Sequence, residues 1–184
     1  MNKEGRPVIV LVILGTLAML VSCCFLFYMW SQGQRAQQAS QNLLEEQSEL
    51  ADDEESALSW VLEIPAIDLE LPVIWEYSDE ALEDYICRFT GPDPGESGNL
   101  VITGHDYLGG ALFGHLDEVE VGDTVRLVNS DGEQYSYTVY ETELITPDDV
   151  GALGNYEGDH AVTLMTCADN ANLRLLLRCV QADA

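Results

Sequence analysis

The sequence has 184 residues, 33 acidic and 7 basic, and its formal net charge at pH 7 is -26. This length suffices for one domain with accessory segments. The bases that follow Arg35 are only Arg88, Arg126, Arg174 and Arg178. Because nucleic-acid binding requires clustered lysine and arginine, we exclude nucleic acid as a partner.

Residues 1–30 predict a cytoplasmic tip and a transmembrane signal anchor. Lys3 and Arg6 precede an uncharged, apolar run from Pro7 to Trp30, which at about 1.5 Å per residue spans a hydrocarbon core of roughly 30 Å. The basic residues place the N-terminus in the cytoplasm and the rest of the chain outside the cell. The alternative is a cleaved signal peptide, whose apolar stretch is shorter, about 7–15 residues. We therefore predict a single-pass protein of the cell membrane.

Residues 31–59 predict an acidic polar linker rich in Gln, Glu and Asp. The run Asp52 to Glu55 repels itself and favours an extended chain. Apolar residues near helical intervals, from Ala36 to Ala57, make a short amphipathic stalk the alternative. We favour the solvated spacer.

Residues 60–184 predict a mostly β domain, because short β-rich runs alternate with Gly, Pro, Asn and Asp. The segment Ser78–Arg88 predicts a short helix, and Ser130 to Gly132 predicts a hairpin turn. Many short strands with little helix favour an antiparallel sandwich or a closed barrel. The predicted strands are Trp60–Ile64, Leu71–Trp75, Asn99–Thr103, Thr124–Val128, Glu133–Glu143, His160–Thr166 and Leu173–Val180.

The cysteines direct attention to Cys167. Cys23 and Cys24 lie in the apolar run, which leaves the odd set Cys87, Cys167 and Cys179, and an odd cysteine in an exported protein can be a reactive thiol. Cys167 ends an apolar run typical of a buried strand and precedes a turn. A nucleophile is well placed at such a strand end, although a lone cysteine is more often an inert, buried side chain.

A cysteine nucleophile needs an acid–base partner, and His105 is the best candidate. It follows the apolar run from Asn99 to Gly104, so it also lies at a strand end. The alternative for a lone loop histidine is a solvated side chain. His115 lies in a mixed loop. His160 begins the strand that ends at Cys167, about 23 Å away at the usual rise per residue, which excludes direct partnership.

Arg174 lies seven residues after Cys167, so a turn between antiparallel strands returns it beside the thiol. Its donors suit an oxyanion; the alternative is a strand-end arginine that extends into solvent. Arg178 faces the same side but lies about 13 Å further along the strand. We expect it to contribute little to catalysis.

Together these residues resemble the sortase family over roughly Trp60–Val180. The order of histidine, cysteine and arginine also matches that family. The matching segments are Gly98 to His105, Phe113 with Leu116, Val121 to Asp123, Thr163 to Cys167, and Arg174 to Leu177.

The resemblance implies a closed eight-stranded β-barrel with short helices, on a Gram-positive cell surface. Sortases cleave a sorting signal resembling Leu-Pro-x-Thr-Gly between Thr and Gly, through a thioester acyl-enzyme, and transfer the acyl group to an amine of a cell-wall precursor or pilin. The resemblance implies that Cys167 is the nucleophile, His105 the general acid and base, and Arg174 the oxyanion stabiliser. Thr166 is assigned to substrate binding. No cofactor or metal is expected.

Marks of particular subclasses are absent. The linker has no Asp-Pro-aromatic lid motif, and no second apolar span follows the barrel segment, so a lidded, pilus-building sortase is disfavoured. The stretch Pro147–Asp159 is too short for a long inserted helix.

Some sortases bind calcium through loop carboxylates, and such oxygens are present here. In so acidic a chain they are more simply solvated, and we predict no metal site. The carboxylates concerned are Asp117, Glu118, Glu120, Asp148 and Asp149.

Two other functions stay open. A cysteine hydrolase of wall peptides would use the same residues, although wall peptidases usually place Cys before His in the chain. A non-enzymatic surface-binding module would explain the anchor and the β domain, but not reactive residues at three strand ends.

Overall fold

A computed structural model describes residues 5–50, 60–169 and 171–182. The described helices are α1 (Gly5–Leu50) and α2 (Asp79–Asp84), with short 3₁₀ helices η1 (Pro65–Ile67), η2 (Leu116–Glu118) and η3 (Val150–Gly154). The strands are β1 (Trp60–Ile64), β2 (Leu69–Ile74), β3 (Ile86–Thr90), β4 (Gly98–Thr103), β5 (Thr124–Asn129), β6 (Gln134–Ile145), β7 (His160–Ala168) and β8 (Leu173–Gln181).

The eight strands form one closed barrel in the order β1-β2-β3-β4-β7-β8-β6-β5, which confirms the predicted barrel. Two neighbouring pairs, β2 with β3 and β4 with β7, are parallel, so the sheet is mixed rather than purely antiparallel. The β5–β6 hairpin turns where it was predicted, since the Gly132 amide donates to the Asn129 carbonyl at 3.1 Å. Closure leaves no exposed sheet edge.

The barrel interior follows from alternation along the strands. In β1 the side chains of Trp60, Leu62 and Ile64 are buried and those between them are half-buried. Burying such a side chain contributes about 1.5–3 kcal/mol. Leu62, with no exposed surface, belongs to this interior, and Leu62→Ala would cost about 2–5 kcal/mol.

The prediction of a helix over Ser78–Arg88 is correct only in its first half. Ser78 caps α2, because its Oγ accepts from the Ala81 amide at 3.0 Å. The chain leaves the helix at Tyr85, and β3 begins at Ile86. Ile86 and Cys87 are both buried, so this strand lacks the alternating pattern that identified the others.

The prediction of a solvated spacer is wrong for residues 31–50, where α1 continues without a break. Gly33, Ala36 and Ser40 are buried along one side of this helix, which packs against α2 and β2. The Ser40 hydroxyl donates to the Asp84 carbonyl at 3.3 Å. Residues 31–50 are helical despite their polar composition, because a narrow stripe of small residues packs against the domain and stabilises the helix. The acidic run Asp52 to Glu55 lies outside the described residues.

The N-terminal part of α1 is long and apolar enough to cross a membrane. Its large apolar side chains from Val10 to Trp30 are exposed, and none of its most apolar window is buried against the protein. An exposed apolar surface of this extent is typical of a segment covered by lipid.

Candidate active site

Three neighbouring strands bring the predicted site residues together. Strands β4 and β7 run parallel with Thr103 beside Met165, so His105, just after β4, and Cys167, near the end of β7, lie at the same end of the barrel. In the β7–β8 hairpin Cys167 is the direct partner of Arg174. All three side chains line one cleft.

Cys167 is a free, half-buried thiol near the end of β7. The turn after it holds Asp169 and Ala171 at positive φ, 48° and 67°. Non-glycine residues rarely adopt this conformation, and it is concentrated at functional sites. The turn is closed by the Asn172 amide, which donates to the Asp169 carbonyl at 3.1 Å. The sharp turn returns the chain to Arg174.

The other cysteines of the barrel have different surroundings. Cys87 and Cys179 have no exposed surface. Burial raises the pKa of Cys87 to about 11 and also raises the pKa of Cys179. Neither lines the cleft of Cys167. Both therefore behave as small apolar side chains with unreactive thiols.

His105 is held by the glycine before it. The Gly104 amide donates to the Met165 carbonyl at 3.2 Å, and a Cβ on Gly104 would lie 2.7 Å from Ile86 Cγ2, so only glycine permits this close packing. Burial lowers the pKa of His105, the positive Arg174 lowers it further, and Glu83 opposes both. At pH 7 the imidazole is therefore mostly neutral.

The rival histidines do not join this group. His115 is exposed, and its Nδ1 lies 2.8 Å from a carboxylate oxygen of Glu118. His160 begins β7, whereas Cys167 lies near its end, as the sequence analysis expected. Neither histidine lines the cleft.

Arg174 is half-buried at the start of β8. Its Nη1 donates to the carbonyls of Ala171 and Leu173 at 3.3 and 3.2 Å. No other hydrogen bond or carboxylate partner of its guanidinium occurs within residues 5–50, 60–169 and 171–182. Its remaining donors are thus available to a ligand in the cleft.

Thr166 is buried, and its hydroxyl donates to the Gly104 carbonyl at 2.8 Å. This bond ties β7 to the residue that precedes His105. Thr166 also lines the cleft, and its role in substrate binding stays a prediction.

The cleft has a volume of about 270 Å³. One wall comes from α2, β3 and the segment before α2, and the opposite wall from the segment between β6 and β7. Sequence reasoning missed both walls, because their residues are ordinary apolar side chains with no chemical signature. They are Tyr77, Leu82, Phe89, Ile145, Pro147, Val150 and Leu153.

The wall formed by the segment between β6 and β7 contains η3, and Arg178 holds it in place through hydrogen bonds. Only 1% of the Arg178 side chain is exposed. Its guanidinium donates to the Ala152 carbonyl at 2.9 Å, to the Asn155 carbonyl and to Glu143 at 2.5 Å. Its Nε also lies 3.4 Å from Glu141. Sequence reasoning identified Arg178 only as the second arginine of its strand.

A second buried side chain supports the same wall. Asn99 Nδ2 donates to the Leu153 carbonyl at 3.0 Å, and its Oδ1 accepts from the Thr163 hydroxyl at 3.0 Å. Three backbone carbonyls in and just after η3 therefore accept from Arg178 or Asn99. The wall is preformed rather than loosely attached.

No group of three or more His, Cys, Asp or Glu side chains that could hold a metal ion occurs among the described residues. The carboxylates considered for calcium, Asp117, Glu118, Glu120, Asp148 and Asp149, thus form no such group there.

Comparison with known proteins agrees with this arrangement. The family model described as Sortase domain matches residues 62–182. The chain is 31% identical over 110 residues to sortase D of Bacillus subtilis (strain 168), covering 59% of this chain and 54% of that protein. It is 28% identical over 107 residues to sortase A of Bacillus anthracis, covering 58% of this chain and 50% of that protein. The chain thus spans about half the length of these curated relatives.

A solved structure shows the same fold. Sortase C1 from Streptococcus agalactiae superposes with a TM-score of 0.63 at 30% identity, covering 79% of this chain and 77% of that chain. The family match covers more than half of the chain, the barrel has the expected closure, and the cleft brings together the cysteine, histidine and arginine through which the sequence resembles sortases. The chain therefore belongs to the sortase family, whose members are cysteine transpeptidases.

Proposed function

We propose that this protein is a membrane-anchored cysteine transpeptidase that cleaves an LPxTG-like sorting signal of surface proteins and joins the new carboxyl end to an amine. The observation that carries the proposal is the convergence of Cys167, His105 and Arg174 at one cleft. Each comes from the end of a different strand, so the barrel itself fixes their relative positions.

In the first half of the reaction, the Cys167 thiol gives its proton to the neutral His105 imidazole, and the sulfur attacks the threonine carbonyl of the signal. Arg174 donates to the oxyanion that forms, using guanidinium donors that no group among the described residues occupies. His105 transfers a proton to the leaving amine of glycine, and the carbon–nitrogen bond breaks. The product is a thioester on Cys167.

In the second half, an acceptor amine attacks the thioester carbonyl. His105 takes the proton from this amine, the carbon–sulfur bond breaks, and the Cys167 thiol is restored. The low pKa of His105, which results first from burial, suits this step because the neutral imidazole can accept a proton.

The cleft walls favour a substrate with apolar side chains. Leu82, Phe89, Val150 and Leu153 give the cleft an apolar lining, which suits the leucine and proline of such a signal. The relatives are named sortase A, sortase C1 and sortase D. The likeness therefore supports the shared chemistry, with a cell-wall precursor or a pilin as the source of the amine.

The proposed location is the cell membrane, with the N-terminus in the cytoplasm and the barrel outside. The apolar helix of residues 10–30 supports the anchor, and Lys3 with Arg6 on its short N-terminal side supports the orientation.

The test is incubation of the full chain, in nanodiscs, with LPxTG-like peptides and a glycine peptide as acceptor, followed by mass spectrometry. We expect a ligated product and a thioester adduct at Cys167, both absent in Cys167→Ala. Hydrolysis without ligation at saturating acceptor would identify a cysteine hydrolase instead. Peptide binding with no cleavage would identify a surface-binding module.

A further inference from the structure

We infer that the loop of residues 107–110, hereafter the membrane-proximal loop, lies in the lipid headgroup layer, with Leu108 in contact with lipid. The inference rests on the membrane topology proposed above, in which α1 crosses the bilayer and continues into the exported domain. It concerns how the barrel sits on the membrane, which the proposed chemistry does not determine.

Helix α1 packs closely against this loop. Gly33 and Ala36 are buried on one side of the helix. A Cβ on Gly33 would lie 3.2 Å from Tyr107 Cβ and 3.3 Å from the Leu108 carbonyl oxygen. Helix and loop are thus in close contact, and the helix direction fixes the position of the loop.

The loop also lies beside the end of the apolar run. A Cβ on Gly109, whose φ is 103°, would lie 3.4 Å from Cδ1 of the Trp30 ring. Trp30 is the last residue of the apolar run, since Ser31 and Gln32 follow it, and tryptophan at such an end is typical of the interface between membrane and water. The loop therefore contacts the residue that marks the outer boundary of the bilayer.

The height of the loop above the hydrocarbon core follows from the rise of the helix. From Trp30 to Gly33 the helix rises about 4.5 Å. The headgroup region on each side of a bilayer is roughly 5–7 Å thick, and a usual helix tilt of about 20° changes the rise very little. Because the loop contacts both residues, it falls within this layer.

Leu108 is the residue of the loop that is exposed for contact with lipid. Tyr107 and Ala111 pack against protein around Gly33, whereas Leu108 is 55% exposed. Its apolar side chain would lose contact with water by entering the interface. The strongly acidic domain would be repelled by anionic lipid, so neutral, zwitterionic lipid is the expected partner.

The placement matters for the reaction because the loop adjoins His105. The rings of His105 and Tyr107 are 5.3 Å apart, and the Tyr107 hydroxyl donates to the Glu83 carbonyl at 2.6 Å. The membrane anchor, the loop and the acid–base residue form one continuous set of contacts. The cleft would therefore open close to the membrane surface.

The experiment measures quenching of tryptophan fluorescence by lipid. The full chain is placed in nanodiscs of phosphatidylcholine whose acyl chains carry bromine either near the glycerol end (shallow) or near the methyl end (deep). Leu108→Trp is compared with Asp131→Trp, each relative to the wild-type chain. Asp131 is exposed in the β5–β6 turn, at the far end of β6, which places it about 36 Å along the strand from the cleft.

We expect the added tryptophan at position 108 to be quenched severalfold more than the one at position 131, and more by shallow than by deep bromine. Equal quenching at both positions would overturn the inference. Trp30→Phe provides the reference: quenching at Trp30 with none at position 108 contradicts only the loop placement. No quenching at Trp30 contradicts the topology as well. Peptide transfer by the same samples reports on the chemistry separately.

Discussion

Two regions of the β7–β8 hairpin place an arginine on the same face of the sheet and use it differently. At the open end Arg174 lies opposite Cys167, and in the middle Arg178 lies opposite Thr163. Arg174 is half-buried and bonds only backbone carbonyls within the described part of the chain. Arg178 is 1% exposed and bonds Glu143 and two carbonyls near η3.

The difference shows that the number of unoccupied donors decides what a guanidinium does. Where protein acceptors occupy the donors, the side chain is a crosslink between elements. Where they are left unpaired in a cleft, it can bind a developing negative charge. Replacing Arg178 should therefore reduce stability, and replacing Arg174 should reduce the rate of reaction.

The largest expected effects come from substituting Cys167, which pairs with Arg174, and Thr163, which pairs with Arg178. Cys167→Ala should abolish cleavage and transfer, because no other group can form the thioester, while the thermal midpoint stays unchanged. Thr163→Val should leave turnover nearly intact but lower stability by about 1–3 kcal/mol, since it leaves the buried Asn99 oxygen without its donor. Peptide-transfer rates and thermal melts measure both.

The buried cysteines are the control for this prediction. Cys87→Ala and Cys179→Ala should retain most of the activity, because both thiols are fully buried and outside the cleft. An inactive but folded Cys87→Ala protein would argue against Cys167 as the sole nucleophile.

The next effect concerns Arg174. Arg174→Lys should slow acylation by on the order of a hundredfold, because a point charge replaces positioned donors. Its thermal midpoint should change little, since within the described part of the chain Arg174 bonds two carbonyls of its own turn and no other group. Single-turnover rates with a sorting peptide test this. A loss confined to KM would show that Arg174 binds the substrate without stabilising the oxyanion.

The contrast also shows how far the sequence could be used. The strand pattern and the turn after Cys167 predicted that Arg174 returns beside the thiol, because a short turn joins the two strands as an antiparallel pair. The closed barrel followed from the resemblance. Local patterns of this kind are visible in the sequence because each concerns neighbouring residues.

What the sequence did not predict depends on packing between distant segments. Arg178 is a crosslink because η3 packs near β8, where its carbonyls accept from the guanidinium. No local sequence pattern predicts this contact between distant segments. Strand β3 was missed because Ile86 and Cys87 are both buried. The helix beyond Trp30 was given only as the alternative to a solvated spacer, because its buried side includes Gly33 and Ala36, which carry little hydrophobic signal.

A smaller effect on the reaction is expected from Arg178→Lys. From the sequence alone this change should do little, but the structure indicates a loss of stability of about 1–3 kcal/mol, because lysine cannot replace the donors to Ala152, Asn155 and Glu143. Loosening η3 should also raise KM for the peptide severalfold with little change in kcat. Thermal melts and steady-state kinetics measure these effects. A loss of kcat equal to that of Arg174→Lys would contradict the distinction between a structural Arg178 and a catalytic Arg174.

The smallest expected effect is electrostatic. Burial and the Arg174 charge lower the pKa of His105, so Arg174→Gln should raise that pKa toward the ordinary value of about 6.5. Arg178→Gln should not, because Arg178 is not among the causes of the shift. NMR titration of labelled histidine measures both variants.

The same shift sets a pH dependence. A histidine whose pKa is lowered by folding binds fewer protons when folded, so its contribution to stability is lost as pH falls below about 6.5. Arg174→Gln should therefore lose less stability on acidification than the wild type. A pKa of His105 that stays the same in Arg174→Gln would mean that the guanidinium and the imidazole do not interact across the cleft, and the two would then have to act on the substrate independently.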